Sequence, residues 1–597
     1  MTFSVRRALA GSHPRIWRRA LSNLRVLSCL GGLCLGGALP IVLQKPAMAA
    51  ERVILTYGIV EISSSLETLR TYAETGEVGS ELAPYFRFLN GEQQSQFRQA
   101  LRLRRDIDPV QMSQFLHSAI GANILRSAGQ VIQTQGRRSG AKALRSALVL
   151  AAAEPEGFTL LGALEQFPTG AVRVDSQRAF RLFNSVTGLI EDTDNAIAAI
   201  RAQSAPSTLL RASVPSLETF AQPGPYTVTA QTLTVVDDER DREILTDVYL
   251  PADAPAAAVV LISHGLAGDR KGFIPMSEHL ASHGYAVVAL DHPGSNRTQL
   301  NALLRGRESE IAEPLEFSDR PRDISFLLDE LTRLNAGNGP FANRFDLSRV
   351  GIIGHSLGGY TALAVSGAQL NLETLQANCD SEDFIFNGAN PSMLLQCTAL
   401  LAPEQFAANY RDDRIDAVMA LNPVGSSLFG EAGFSQLAIP SLLVSGGNDP
   451  IAPALLEQIQ PFTWLNQSGA ADIDHYLALI QEGSHLYEEI AEPGLDTAPG
   501  SNGLVSADLP LVNSYLKSLS LGFVQAEVDQ NLIYQDAIDE ALIVQTGQPS
   551  SPLYFVDTLT AEMLVPPDVI TPNVTTEDMP TEGSSPAEGA AGDAPMQ

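Results

Sequence analysis

Short apolar runs separated by helical stretches dominate this chain of 597 residues beyond about residue 250. The runs are continuous, whereas a strand with one solvated face would alternate apolar and polar side chains. Continuous runs suit parallel strands that are buried on both faces, with the intervening helices as crossover connections. The sequence therefore predicts a mostly parallel sheet covered by helices, with strands at Ala258–Ser263, Ala286–Leu290, Val350–Ile353, Ala417–Leu421 and Ser441–Val444.

Two further segments extend this predicted domain, which we place at 225–564. Tyr226–Val236 and Glu243–Leu250 flank a charged turn and predict an antiparallel strand pair. Long insertions between core elements are expected at about 298–320 and 371–414. Loops of that length at the edge of a site can form a lid or a pocket.

The segment 51–213 has a different character and is predicted to be a small all-α domain of unknown function. Ser64 with Glu67 predicts a capping box, and Asp108 before Pro109 predicts another helix start. A Ser-, Pro- and Thr-rich stretch from Ser204 to Pro225 reads as a linker. We find no catalytic cluster in this segment.

The first 49 residues have the pattern of a secretory signal peptide. A basic region precedes the apolar run Val26–Leu43, and Ala47-Met48-Ala49 provides a small-residue cleavage site. A retained membrane anchor is the alternative, but the run is rich in glycine. We therefore expect an exported protein without a membrane span after processing, located in the periplasm or outside the cell, or in the thylakoid lumen of a cyanobacterium.

The net charge argues against nucleic acid as a partner. The chain has 68 acidic and 39 basic residues and a formal charge of -29. Seven of the basic residues and none of the acidic ones lie in residues 1–49, so the processed chain would carry -36. Binding to phosphates needs clustered Lys and Arg. The polar, acidic tail at 566–597 is predicted to be disordered.

Gly354-His355-Ser356-Leu357-Gly358 is the pattern that points to chemistry. It directly follows the strand Val350–Ile353 and precedes a helical stretch, which is the context of the nucleophile elbow in α/β-hydrolases. Small residues around the serine relieve crowding in a strained turn, so that its Oγ projects above the sheet. The sequence thus predicts that Ser356 is a nucleophile.

A serine hydroxyl needs a base to remove its proton, and in this superfamily the base is a histidine that follows an acid along the chain. Only His475 and His485 lie downstream of Ser356. His485 follows the apolar run Tyr476–Ile480, where a loop after the last parallel strand would hold it. His475 stands at the start of that run, so we predict His485 as the base.

Asp449 is the predicted acid. It lies in a glycine-rich turn immediately after the strand that ends at Val444, between the elbow and His485. Functional side chains of α/β folds lie at the carboxyl ends of parallel strands. The alternative is a turn aspartate that caps the helix beginning near Pro450.

The oxyanion of an acyl-transfer reaction needs backbone donors that are already in position. One candidate is the N–H of Leu357, directly after the nucleophile, and the other is the N–H of Leu266 in the loop after an early strand. His264 and His292 are expected to shape neighbouring loops. This chemistry needs no metal or organic cofactor, and no spacing of cysteine and histidine indicates a metal site.

Cys379 and Cys397 are expected to form a disulfide. They lie close together in the sequence, and the other two cysteines, Cys29 and Cys34, belong to the predicted signal peptide. An oxidising compartment favours the bond, although two unpaired buried cysteines are the alternative.

Four motifs carry a resemblance to dienelactone-hydrolase-like and platelet-activating-factor-acetylhydrolase-like serine esterases: Ser263–Arg270, Asp291–Asn296, Gly354–Gly359 and Ser445–Pro453. The segment before them resembles a domain of unknown function that is fused to such hydrolases in cyanobacteria. Dienelactone hydrolases themselves use a cysteine nucleophile, where this chain has Ser356. The acetylhydrolases place their acid one strand earlier, where this chain has Asn422, and this difference weakens the assignment of a phospholipid substrate.

Together these observations predict an α/β-hydrolase fold preceded by a small all-α domain. The predicted activity is hydrolysis of carboxylic esters through Ser356, His485 and Asp449. Two alternatives stay open from the sequence: a deacylase for short-chain phospholipids or acylglycerols, and a binding protein on a hydrolase scaffold.

Overall fold

The computed structural model describes residues 49–87, 89–204, 217–252, 254, 256–380, 389–465, 473–486, 504, 506, 508–531 and 550–564. The predicted signal peptide up to residue 48, much of the predicted linker and the tail from residue 566 lie outside these residues. Within them, no helix combines the length and the apolar character that a membrane span requires.

The first part of the described chain contains a sheet, so its prediction as an all-α domain was wrong. The strands run in the order β2-β1-β6-β4, and β3 pairs with β5. Strand β1 lies parallel to β6, with Arg52 opposite Ala171. A pairing between segments so far apart leaves no local pattern in the sequence. The strands are β1 Arg52–Tyr57, β2 Val60–Ser65, β3 Arg104–Arg105, β4 Ile132–Thr134, β5 Phe158–Thr159 and β6 Ala171–Asp175.

The helices of this part agree better with the sequence. Asp108 caps its helix as predicted and accepts hydrogen bonds from the N–H groups of Val110 and Gln111. The first helix begins one residue later than expected, because Ser65 rather than Ser64 is the cap. The helices are α1 Leu66–Thr75, α2 Ala83–Phe86, α3 Gly91–Arg102, α4 Pro109–His117, α5 Ala119–Val131, α6 Ala141–Ala152, α7 Leu160–Glu165 and α8 Ser176–Gln203.

A nine-stranded sheet forms the centre of the rest of the described chain, in the order β15-β14-β13-β12-β11-β9-β10-β8-β7. The strands from β10 to β14 are parallel, and the predicted antiparallel pair β7 and β8 lies at one edge. The strands are β7 Val228–Asp237, β8 Arg242–Pro251, β9 Ala257–Ser263, β10 Ala286–Leu290, β11 Phe345–His355, β12 Ala417–Leu421, β13 Ser441–Gly446, β14 His475–Ile480 and β15 Leu553–Val556.

Helices cover both faces of this sheet, as the continuous apolar runs predict. Alternate residues of one strand belong to different cores: Val259 and Leu261 face one side, and Val260 and Ile262 face the other. The α/β-hydrolase fold is thereby confirmed. The helices are α9 Leu217–Phe220, α10 Ile274–Ser282, α11 Arg297–Leu304, α12 Glu316–Ala336, α13 Leu357–Val365, α14 Leu372–Asp380, α15 Met393–Gln396, α16 Ser426–Phe434, α17 Gln460–Leu465 and α18 Leu509–Phe523.

The first part of the chain packs against the two predicted insertions. The Glu310 carboxylate accepts a hydrogen bond of 2.7 Å from the N–H of Ala119 at the start of α5. Further along α5, the Asn123 side chain donates to the carbonyl of Leu394 at 3.4 Å. Helix α5 therefore contacts both insertions.

Buried histidines make the fold sensitive to acid, and His475 is the simplest case. Its Nδ1 lies 2.8 Å from the hydroxyl of Ser441 at the start of β13. Burial lowers the pKa of His475 from 6.5 to about 4. In the unfolded chain this histidine takes up a proton as the pH falls below about 6.5, whereas in the folded protein it stays neutral until about pH 4. Stability therefore falls as the pH drops through this window, by about 1.4 kcal/mol per pH unit.

We predict that His475→Asn weakens this pH dependence. Between about pH 7 and pH 5 the free energy of unfolding of the variant should fall by about 2 kcal/mol less than that of the unmodified protein, because one buried neutral histidine is gone. Urea unfolding at both pH values measures the difference. The same substitution at the exposed His117 is the matched control, and an identical pH dependence in all three proteins would contradict the prediction.

Candidate active site

Ser356 occupies a sharp turn between β11 and α13. Its backbone has φ 55° and ψ -117°, a conformation that costs energy for a residue with a side chain. The neighbouring glycines make this turn possible: a Cβ on Gly354 would lie 2.0 Å from the carbonyl of Gly358, and one on Gly358 would lie 2.1 Å from that of Ser263. The structure thus has the strained elbow that the sequence predicts.

Ser356, His485 and Asp449 form one chain of hydrogen bonds. The Oγ of Ser356 lies 3.1 Å from Nε2 of His485, and Nδ1 of His485 lies 2.7 Å from Oδ2 of Asp449. Since a carboxylate only accepts, Nδ1 carries the proton and Nε2 is free to receive one from the serine. The three side chains predicted from the sequence therefore have the geometry of a catalytic triad, with Ser356 in the place of the nucleophile, His485 in that of the base and Asp449 in that of the orienting acid.

Asp449 makes the contacts that belong to both of the roles that were open from the sequence. Its Oδ1 accepts hydrogen bonds of 2.8 Å from the N–H groups of Ile451 and Ala452, so it caps the turn that follows. Its Oδ2 remains for His485. The cap holds one oxygen of the carboxylate while the other contacts the histidine. His475, by contrast, lies at the other end of the sheet, at the start of β14.

Asn422 is a residue of the site whose role the sequence did not reveal. Its side-chain nitrogen donates to the carbonyl of Ser484 at 2.8 Å, and its side-chain oxygen accepts from the N–H of Gly446 at 2.8 Å. The amide therefore joins the loop that carries His485 to the end of the strand that precedes Asp449. A carboxylate at this position could not donate to the first of these partners.

His355, the residue before the nucleophile, supports the base from the other side. Its Nε2 donates to the backbone carbonyl of His485 at 2.8 Å. Burial, followed by the nearby His485, lowers the pKa of His355 to about 3, so the ring is neutral at ordinary pH. Its position inside the elbow motif was the only signal for this role.

The loop after β9 passes directly beside the nucleophile. A Cβ on Gly265 would lie 3.2 Å from Cβ of Ser356 and 3.0 Å from Nδ1 of His355, so a larger residue would press on both. This loop brings Leu266, one predicted oxyanion donor, next to Ser356, and Leu357, the other, begins α13. In the described part of the chain neither N–H donates to an acceptor.

The second insertion is crosslinked within itself and is also bound to a loop of the site. The predicted disulfide joins Cys379 at the end of α14 to Cys397, with a Cα separation of 5.9 Å. A buried carboxylate, Glu457, accepts from backbone or side-chain donors on both the insertion and the loop after β12. These donors are Asn390, Ser392, Gln396, Gly425 and Ser426. The insertion is thus fixed beside the loop that follows Asn422.

Asp449→Asn tests the hydrogen-bond chain. The asparagine oxygen can still cap Ile451 and Ala452, but its NH₂ group donates to Nδ1 of His485, which places the ring proton on Nε2, where it blocks transfer from the serine. We expect the rate at which a fluorophosphonate labels Ser356 to fall by about 10³-fold or more, with the melting temperature nearly unchanged.

Asp413→Asn is the control, because that carboxylate is 86% exposed and pairs only with Arg411 among the described residues. Labelling of the Asp449 variant at the rate of the control would exclude Asp449 as the orienting acid.

Two family models match the chain. The first, described as an alpha/beta hydrolase of unknown function, matches residues 49–175. The second, described as the alpha/beta hydrolase family, matches residues 259–489, which include Ser356, Asp449 and His485. The segment before the large sheet thus belongs to a type already associated with such hydrolases.

Curated relatives match a shorter stretch. Cutinase est1 of Thermobifida alba is 27% identical over 126 residues, which are 21% of this chain and 36% of that protein. Chloroplastic chlorophyllase-1 of Citrus unshiu is 29% identical over 157 residues, 25% of this chain and 40% of that protein. The chain therefore spans 40% or less of the length of these relatives. The family models, the order of the strands and the elbow at Ser356 agree with one another, and the chain belongs to the α/β-hydrolase superfamily.

Proposed function

We propose that the protein is a serine esterase that hydrolyses carboxylic esters. The observation that carries this proposal is the hydrogen-bonded chain from Ser356 through His485 to Asp449, at distances of 3.1 and 2.7 Å. Its three members come from the carboxyl ends of β11, β13 and β14, which meet at one edge of the sheet. A binding protein on this scaffold would have no need to keep that chain intact.

The geometry supports a two-step acyl transfer. Nε2 of His485 takes the hydroxyl proton as Oγ of Ser356 attacks the ester carbonyl, and the Leu266 and Leu357 N–H groups receive the oxyanion. His485 then gives its proton to the departing alcohol, which leaves an acyl group on Ser356. Water, activated by the same histidine, releases the carboxylic acid and restores the serine.

The comparisons support the ester as substrate class. Cutinases are carboxylic ester hydrolases, and chlorophyllases are likewise associated with ester hydrolysis. The identities of 27% and 29% leave the acyl and alcohol groups of the substrate undefined. A lipid deacylase of the acetylhydrolase type would use the same residues, so the length of the preferred acyl chain separates the two activities.

Hydrolysis of p-nitrophenyl esters from acetate to palmitate tests the proposal. We expect turnover by the purified protein, and a loss of at least about 10³-fold in Ser356→Ala, because the nucleophile is gone. A preference for short acyl chains would indicate a small-ester hydrolase, and a preference for long chains would indicate lipid substrates.

Ser348→Ala is the matched control, since Ser348 is an exposed serine near the opposite end of the same strand. Absence of turnover, combined with absence of labelling of Ser356 by a fluorophosphonate, would refute the proposed activity and favour a binding function.

We also propose that the protein is exported after cleavage of its first 49 residues. The disulfide between Cys379 and Cys397 supports this, because such bonds persist mainly in oxidising compartments. N-terminal sequencing of the protein from the periplasm or the medium should begin at Ala50. Recovery of the chain in the cytoplasm with its original N-terminus and free thiols would contradict export.

A further inference from the structure

A buried arginine lies beneath the loop that carries Leu266. Nη1 of Arg320 donates to the carbonyl of His264 at 2.7 Å, and Nη2 lies 3.4 Å from the carbonyl of Gly265. Nε of the same guanidinium donates to the hydroxyl of Ser295 at 2.8 Å. The Arg320 side chain is fully buried. The planar guanidinium group thus contacts two successive carbonyls of this loop and the hydroxyl of Ser295 in the neighbouring loop.

The ring of His264 holds the same loop. Its Nε2 accepts a hydrogen bond of 2.9 Å from the N–H of His292, so the ring proton lies on Nδ1. Nδ1 then donates to the carbonyl of Gly265 at 2.7 Å. Burial, followed by the charge of Arg320, lowers the pKa of His264 well below its usual value, which keeps this neutral tautomer.

Because the peptide bond is planar, the contacts that hold the Gly265 carbonyl also fix the direction of the Leu266 N–H. The carbonyl of Gly265 and the N–H of Leu266 belong to one planar peptide unit, in which they point in opposite directions. Because the carbonyl points at the buried His264 and Arg320, the N–H points away from them. It donates to no acceptor in the described part of the chain. Gly265 itself lies against Ser356, so the N–H that follows it borders this serine.

A cluster of buried charges keeps Arg320 in place. Glu316 lies 3.5 Å from Arg320 and 2.9 Å from Arg242, and Arg242 also pairs with Asp323 at 2.8 Å. Arg240 also lies 2.9 Å from Asp323, and Asp319 lies 3.5 Å from both Arg240 and Arg242, so every charge in the cluster has an opposite charge beside it. Buried ion pairs contribute little net stability compared with apolar packing, so their value here is the fixed geometry that they impose.

The cluster also contains a second chain of serine, histidine and aspartate. Nε2 of His292 lies 2.9 Å from the hydroxyl of Ser263, and its Nδ1 lies 3.0 Å from Asp323. All three residues are fully buried, so no substrate reaches this serine. Asp323 is moreover occupied by Arg242. This chain therefore supports the loops after β9 and β10, and it is not a second active site.

We propose that Arg320 and His264 are positioning residues of the reaction, which orient the Leu266 N–H toward the oxyanion by holding the Gly265 carbonyl. This inference rests on the proposed function and assigns a task to residues that touch no substrate. This role also explains why the end of the first predicted insertion, Glu316 to Arg320, is the buried first turn of α12 instead of an exposed loop.

Arg320→Lys tests the proposal while it preserves the charge of the cluster. A lysine has no planar fork and cannot reach both carbonyls and Ser295 together. We expect kcat for a p-nitrophenyl ester to fall about 10- to 100-fold with KM within about threefold, somewhat less than the loss of a whole oxyanion donor. The inhibition constant of an alkyl boronic acid, whose adduct with Ser356 places an oxygen in the oxyanion site, should rise in parallel.

Arg333→Lys on the same helix is the matched control, because Arg333 is largely exposed and pairs with Glu330. A kcat of Arg320→Lys within about twofold of this control would overturn the inference, even though the esterase proposal would stand. No turnover and no fluorophosphonate labelling in the unmodified protein would instead refute the proposed function, and the inference with it.

A pair of His264 variants decides the case if Arg320→Lys does not fold. The amide nitrogen of His264→Asn can occupy the place of Nδ1 and still donate to Gly265, whereas the longer side chain of His264→Gln places its amide near Nε2. We expect His264→Asn to retain at least about tenfold more kcat than His264→Gln at similar melting temperatures. Equal activities would overturn the proposal.

Discussion

The strained turn at Ser356 is the constraint to which the rest of the site is fitted. Its positive φ is tolerated because the N–H of Ser356 donates to the carbonyl of Leu421 at 2.9 Å and because glycines stand on both sides. The same closeness that permits the turn brings the loops after β9 and β12 against the serine. These loops therefore present small or backbone groups at that point: Gly265 after β9, and after β12 the N–H of Val424, which donates to the carbonyl of Ser356 at 3.3 Å.

The sequence was sufficient for the large sheet and for the three side chains that meet at its edge, and the reason is physical. Strands buried on both faces are continuous apolar runs, and the parallel arrangement sends residues after β11, β13 and β14 to one edge. Asp449 and His485 could be selected from this order alone. The small sheet was missed because β1 pairs with the distant β6 and its residues are only partly buried, so neither a continuous run nor a clear alternation was present.

The supporting residues were beyond the reach of sequence reasoning for a different reason. Asn422, His355, Glu457 and Arg320 act through partners that are distant in the chain, and nothing in their own surroundings indicates those partners. In the sequence, Asn422 stands where the acetylhydrolases have a carboxylate. In the structure, its side-chain amide donates one hydrogen bond and accepts another, which a carboxylate could not do. Residues that react follow a chain order shared across the superfamily, while residues that orient them depend on each protein's own loops.

Helix α8 has a bearing on how such a protein can change during evolution. Its cap, Asp175, is the last residue matched by the first family model, yet its second half buries Ala196, Ile197 and Ile200 in the core that includes the large sheet. Near its end, Arg201 donates to the hydroxyl of Tyr554 on β15 at 2.8 Å. A gene rearrangement that joined a different domain at either end of this helix would expose apolar side chains that the helix now buries against one part of the chain or the other. The two parts of the chain are therefore expected to be inherited as a pair, because neither could keep this helix buried without the other.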